Sequence, residues 1–437
     1  MLSAFIIFCY FMNIIYCKGC FMFKRIFWII LFIIILPIRV FASDGSLAMV
    51  GGKYYDSFED AIRAAGSNDV IKLISDVKLN DTLNINKTVN INLNDNDIVA
   101  PEKVFEVKGG VLNLTGSGTI RELKPNYGAI AIVGSNDSND KDYSIVNVGS
   151  DIKLEGWSGI FITHDNNKSY GVVVNLDGDI AAVNDTDGGT GIGVYVNGNI
   201  KDDKNHPVIN IGNGSRITST GNGLYIAGYA TFNIKDAYIE GEEAGIGIKS
   251  GILNIDGATI YSEGVDKTPT GGYNNGIKAS GTAIQIESNS GYTGNMEINV
   301  NSGTIRSKNS YAVYEYIGKG TDSMVDSIDI SGGTFRAEGE REVFGLSDSF
   351  KSMHGSFISG GKYTSNPSEY LEAGYSAKME NDLYIVTARS SKLVSGDSVN
   401  SGGTSAVLKA IATVIIVGIA VILLYMNRDK ILGVFSK

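Results

Sequence analysis

Cysteine is scarce in this chain of 437 residues, and its three copies, Cys9, Cys17 and Cys20, all precede position 21. The remainder can hold neither a disulfide framework nor a thiol nucleophile. Histidine is equally sparse: His164 and His354 show no metal-ligand or triad spacing, and His206 sits between Asn205 and Pro207 in a turn. Helical periodicity is almost absent between the ends, and long apolar runs are confined to them. Positive charge is also short in the middle. Four basic residues lie in 1–42 and four in 405–437, where Asp429 is the only acid. The segment between carries 29 basic against 46 acidic residues, about −17. Such a surface argues against nucleic acid or anionic lipid as partner, and suits solubility or cation binding.

The two ends read as addresses. Lys24 and Arg25 precede an apolar run from Ile26 to Leu36, and Val40-Phe41-Ala42 offers small-residue cleavage positions. This is the layout of a secretory signal peptide, with Met22 as the expected start and 1–42 removed on export. Lys18 and Gly19 before Cys20 do not make a lipobox. At the other end, 405–426 is apolar apart from Lys409, which predicts a transmembrane helix. Arg428, Lys430 and Lys437 in the tail 427–437 place that tail in the cytoplasm and the bulk outside, as a single-pass protein of the cell membrane. No Leu-Pro-x-Thr-Gly signal precedes the helix, which excludes sortase attachment. A Ser- and Gly-rich linker is expected over 387–404.

What the middle does have is a recurring phrase. An apolar residue, Asn or Asp, and a second apolar residue lead into a turn, a third apolar residue and a small or polar stop. It reads Phe232-Asn233-Ile234 to Ile239, Leu253-Asn254-Ile255 to Ile260, Ile298-Asn299-Val300 to Ile305, Ile328-Asp329-Ile330 to Phe335, and Phe357-Ile358 to Tyr363. Alternation with period two, Ile and Val enrichment and Gly-Gly or Ser-Gly breaks predict short strands and tight turns. Rungs of about 20 to 30 residues holding two or three such strands predict a parallel β-helix of about a dozen rungs rather than a sandwich. The central Asn recurs as Asn84, Asn90, Asn113, Asn147, Asn175, Asn210, Asn233, Asn254 and Asn299. In-register stacking makes these outward amides a hydrogen-bonded ladder.

The rungs are expected over 70–386, closed by a final strand pair and preceded by a cap over 43–69. Ser57-Phe58-Glu59-Asp60 opens a short helix in that cap, which shields the first rung. Loop insertions are expected at 135–142, 184–190 and 265–275. The opening Tyr54-Tyr55-Asp56-Ser57-Phe58-Glu59-Asp60-Ala61-Ile62, the Asn-Ile rungs and the turns Ser331-Gly332-Gly333-Thr334-Phe335 and Ser359-Gly360-Gly361-Lys362-Tyr363 resemble those of right-handed parallel β-helix surface proteins of Gram-positive bacteria, in the pectin-lyase-like superfamily. The resemblance covers about 53–386 and implies an all-β, right-handed parallel β-helix solenoid. It bears on architecture more than activity, because this fold hosts lyases, hydrolases, adhesins and tailspikes.

Catalytic patterns that the superfamily would supply are thin here. No Arg-x-Pro-x-x-Arg of a pectate lyase is present. The nearest approach to the hydrolase carboxylates is Asp185 and Asp187, Asp202-Asp203, His206 and Arg216-Ile217-Thr218, without the expected Lys. No cofactor is expected. Ca²⁺ is the one ion the loops suggest, through Asp185 and Asp187 or through Asp137, Asp140 and Asp142. An outward column in the second strand holds Phe161, Tyr195, Tyr225, then Gly247, Gln285 and Tyr314. Aromatic rings at rung spacing suit the apolar faces of sugars, or stacking on one another. The expectation is a membrane-anchored, adhesin-like protein whose Phe161, Tyr195, Tyr225 and Tyr314 bind a polysaccharide or wall polymer without catalysis. A polysaccharide lyase or glycoside hydrolase, or a structural envelope component, are the alternatives.

Overall fold

The computed structural model describes residues 45–389 except 199, 201–203, 213 and 268–279. The leader expected over 1–42, the anchor over 405–426, the tail 427–437 and most of the linker lie outside the described residues. Among the described residues no helix is long and apolar enough to cross a membrane.

Nearly everything described is β structure, in three sheets of stacked parallel strands. Sheet A runs from Val70–Leu73 to Val325–Ile330, sheet B from Val77–Lys78 to Lys362–Tyr363, and sheet C from Leu83–Ile85 to Phe344–Gly345. The chain visits A, B and C in turn, so each strand pairs with the one three places on, and ten such coils follow one another. An eleventh is partial: Ile358 bridges Ile330 in parallel and Tyr363 pairs with Phe335. This solenoid is compatible with a β-helix.

Register follows from the alternation. The middle apolar residue of each sheet B strand points inward, and Ile180, Ile217, Ile239, Ile260 and Ile305 pair successively in one column with no exposure above 1 %. Burying each such side chain stabilises by about 1.5–3 kcal/mol, so a one-residue slip would be heavily penalised. The corner from sheet B to sheet C is made by glycine for a steric reason. A Cβ on Gly159 would lie 2.5 Å from Ile180 Cγ2, and one on Gly223 would lie 2.5 Å from Ile239 Cγ2. Only a residue without a side chain lets the backbone pass that close to the isoleucine column.

The asparagine ladder is present. Asn113, Asn147, Asn175, Asn210, Asn233, Asn254 and Asn299 each donate Nδ2–H to the Oδ1 of the Asn one coil earlier, at 2.6–2.9 Å. Asn90 begins the series and donates to the carbonyls of Ser67 and Asp69 at 2.9 and 3.0 Å. Asn84 is a correction. It lies in sheet C opposite Glu106, because Leu83-Asn84-Ile85 is a third-sheet strand with the same alternation.

Both ends are closed. The hairpin Ala48–Val50 with Lys53–Tyr55 extends sheet A antiparallel, and helix α1, Phe58–Ala64, packs against it with Phe58 and Ala61 fully buried. Ser57 caps that helix by accepting the Asp60 N–H at 3.1 Å, and Lys87 Nζ donates to the terminal carbonyls of Ile62 and Ala65 at 2.8 Å each. At the far end the strands Tyr375–Glu380 and Leu383–Ala388 form an antiparallel pair beside Lys362–Tyr363. Helix α2, Asp348–His354, is an addition to the one helix expected between the two ends. Ser347 caps it through the Phe350 N–H at 3.0 Å, and Phe350 is wholly buried. One cap and one apolar anchor in seven residues leave little periodicity to read.

Candidate functional site

Sheet C carries the most unusual side chains, and its register decides which of them meet. Inward positions are aliphatic: Ile160, Val194, Leu224, Ile246, Ile284 and Val313 pair in sequence. The neighbouring residue in each strand faces outward, so Phe161, Tyr195, Tyr225, Gly247, Gln285 and Tyr314 form one column as expected.

The first three rings stack on one another. Phe161 and Tyr195 have centroids 5.0 Å apart at 26°, and Tyr195 and Tyr225 are 5.2 Å apart at 8°. The spacing is close to the strand separation of about 4.8 Å, so parallel register alone produces the stack. Trp157, in the corner before the strand, lays its ring against Phe161 and Tyr195 at 6.1 and 6.0 Å, while its indole N–H donates to the Thr190 carbonyl at 3.0 Å. The facing surfaces of these rings are occupied by each other. Phe161, Tyr195 and Tyr225 are each half-buried, and the Tyr225 hydroxyl lies against the buried Lys249. Burial pushes both phenols above their ordinary range, with the Lys249 charge opposing the shift.

Where the aromatic column breaks at Gly247 and Gln285, a second outward column two residues on becomes charged. Lys249, Glu287 and Tyr316 occupy it on successive coils. Lys249 is 3 % exposed and Glu287 1 %, and the two form an ion pair. The amine also donates to the Tyr292 hydroxyl at 2.9 Å and lies 4.8 and 4.7 Å from the Tyr225 and Tyr292 ring centroids. Burial works against charge on Lys249, yet Tyr225, Glu287 and Tyr292 outweigh it and hold the amine above its usual range. Tyr316 donates to Glu287 Oε2 at 2.6 Å, and its phenol is raised by burial and then by that carboxylate. Gln285 Nε2 reaches the Tyr316 hydroxyl at 3.5 Å, whereas the buried Gln285 Oε1 has no hydrogen-bond donor.

Tyr314 shares the register but not the stack. It lies on Tyr311 at 5.3 Å and near Tyr316 at 6.3 Å, with Arg341 5.2 Å over Tyr311. Its neighbour Glu315 takes an inward position opposite Ile286 and is 3 % exposed. Hydroxyls of Ser288, Ser323 and Ser347 donate to that carboxylate at 2.7, 2.6 and 2.5 Å. The column therefore presents two aromatic groups with a polar, charge-paired interval between them. Lys249, Glu287, Tyr292, Tyr316 and Trp157 were not singled out from the sequence. The alternation that placed Ile248 and Ile286 inward would also have put Lys249 and Glu287 together outside.

Among the described residues, the hydrolase-like Asp185, His206 and Arg216 lie on different parts of the coil. Asp185 sits in a sheet B to sheet C loop, where its Oδ1 accepts the N–H groups of Asp187 and Gly189 at 2.9 and 2.6 Å. His206 precedes a sheet A strand, 2.8 Å from Thr231 Oγ1 and edge-on to Tyr229. Arg216 begins a sheet B strand, paired with Glu240 at 3.2 Å and 4.1 Å from the Tyr238 ring. Asp202 and Asp203 lie outside the described residues. The acidic loop at 135–142 is likewise engaged in turns: Asp140 accepts from Asp142 N–H at 2.9 Å and Ser135 Oγ at 2.7 Å, and these donors hold its carboxyl below the usual range. Among the described residues no group of three His, Cys, Asp or Glu side chains is placed to hold a metal. No family model, no curated protein and no solved structure matches this chain.

Proposed function

We propose that this chain is a membrane-anchored, extracellular β-helix that binds a glycan or cell-envelope polymer along the outward face of sheet C, without cleaving it. The right-handed coil, the kinship with pectin-lyase-like surface proteins of Gram-positive bacteria, the signal peptide and the C-terminal membrane helix belong to this proposal and rest on the sequence. The observation that carries it is the column on sheet C. Phe161, Tyr195 and Tyr225 stand on one side and Tyr314 with Tyr311 on the other, with Gln285, Lys249 and Glu287 between. A polymer laid along the solenoid would cross one set of ring edges first, then a polar interval, and then rings again. Amphipathic rims of that kind suit sugars, which combine apolar C–H faces with hydroxyl edges.

A second reading, a purely structural envelope component, is favoured by one observation: the rings spend their faces on each other, as the asparagines spend their amides. Both readings are separated by one experiment. The segment 43–404 is incubated with polygalacturonate, host glycans and wall polymers, scoring retention and new chain ends. Retention without new ends, weakened by Tyr195→Ala and Tyr225→Ala in variants that still fold, is the expected result. No retention by any polymer supports the structural reading. New ends would make the protein an enzyme and overturn both.

A further inference from the structure

The Lys249–Glu287 pair has a third member that a simple ion pair does not need. Asn289, two residues beyond Glu287, is 8 % exposed, and its Nδ2 donates to Glu287 Oε1 at 3.0 Å. One buried carboxylate thus holds a lysine amine on one oxygen and an asparagine carboxamide on the other. The Asn289 carbonyl oxygen accepts the Gly291 N–H at 2.9 Å, which polarises Cγ toward a nucleophile. Tyr225 and Tyr292 flank the amine, and Tyr316 fixes the carboxylate through Oε2. A nucleophile, a proton carrier, an electrophilic carbonyl and a donor for its oxygen are gathered in a site that excludes water.

We propose that Lys249 and Asn289 become joined by an isopeptide bond between Lys249 Nζ and Asn289 Cγ, with Glu287 carrying the protons. The Lys249 ammonium passes one proton to Glu287 and the freed amine attacks Cγ. The developing negative charge on Oδ1 is met by the Gly291 N–H. Collapse of the tetrahedral centre breaks the Cγ–Nδ2 bond as Glu287 returns its proton to the departing nitrogen. The attacking nitrogen sheds its extra proton, and the products are the amide link and ammonium. No oxidant, metal or second substrate enters. Holding both reactants on one carboxylate supplies the proximity that an uncatalysed amide exchange lacks. The bond ties two successive coils, closing a loop between residues 249 and 289.

Peptide mass mapping of the full-length protein tests this. The expected product is a branched peptide joining the segments around Lys249 and Asn289, lighter by one ammonia than its two linear parts. Glu287→Gln is expected to yield both linear peptides at full mass. Asn289→Asp is expected to give the same branched peptide, now by loss of water. Circular dichroism checks that each variant folds, but the wild-type map decides alone. Linear peptides with both side chains intact in folded wild-type protein would overturn the proposal, as would loss of ammonia at Asn289 with the Lys249 peptide still linear.

Discussion

Asn254 donates its side-chain N–H to Asn233 at 2.9 Å, and Asn233 passes the same bond on to Asn210 at 2.9 Å. Every bond in the column points the same way, so each amide is donor to one coil and acceptor from the next. Asn233→Ala removes both roles and is expected to cost about 1–3 kcal/mol in a urea titration. Asn233→Asp keeps the acceptor for Asn254 but sets a carboxylate against the Asn210 oxygen. Its folded-state pKa is therefore raised above the unfolded value, and its share of stability is lost as pH rises. Relative to wild type, this variant should regain stability as pH falls toward about 4.

Glu122 is 2 % exposed and its carboxylate accepts four backbone N–H groups. Asn126 and Tyr127 bond Oε1 at 3.0 and 2.9 Å, and Gly128 and Trp157 bond Oε2 at 3.0 and 3.1 Å. Glu122→Ala should cost about 3 kcal/mol or more, because several buried donors lose their acceptor. Glu122→Gln should recover little, since its NH₂ faces donors. The readout is built in: Trp28 and Trp157 are the only tryptophans, so emission from the segment 43–404 reports this corner directly.

Gly159→Ala is expected to destabilise by about 1–3 kcal/mol through overpacking, since the three atoms nearest its Cβ would be Ile180 side-chain atoms at 2.5–2.7 Å. Ile180→Ala alone should cost about 2–5 kcal/mol. The double variant should cost less than the two together, a coupling measured by a double-mutant cycle. Strict additivity would show that the glycine serves some other purpose.

Alkaline pH should unfold the protein through its tyrosines. Tyr225, Tyr316 and Tyr363 are raised by burial above the ordinary phenol range. Below about pH 10 both states hold these protons; above it the unfolded chain releases them first. The folded state then binds more protons, so stability falls as pH rises, by up to about 1.4 kcal/mol per pH unit for each such group. Ultraviolet titration should show these phenols ionising together with loss of the circular dichroism signal. Ionisation well before unfolding would contradict their burial.

Much of this architecture is legible in the residues because one strand phrase is used throughout. Ile234, Ile255, Val300, Ile330 and Ile358 stack in the order their phrases suggest, and the ladder from Asn90 to Asn299 is readable from one repeated letter. Asn84 misleads because alternation reveals inside from outside but not which sheet a strand joins. Helix α2 escapes notice because a single cap and a single buried Phe350 make no period. The aromatic column is found by spacing, whereas the use of its ring faces depends on side-chain rotation, which sequence does not encode locally. The cluster of Lys249, Glu287 and Asn289 is harder still: its members come from two coils separated by a long insertion, and only pairing brings them together.

The ladder's last place is taken by another residue: Asp329 pairs with Asn299 in the parallel register. An ionised carboxylate can receive hydrogen bonds but offers none, so the one-way relay of amides has no successor there. The eleventh, partial coil lies over this position, with Ile358 bridged to Ile330, so the relay stops inside the molecule, at the step from Asn299 to Asp329. The amide relay thus ends one coil before the strands do. The exchange Asp329→Asn would add one donor, directed at Asn299, and so lengthen the column by a single bond within the same molecule.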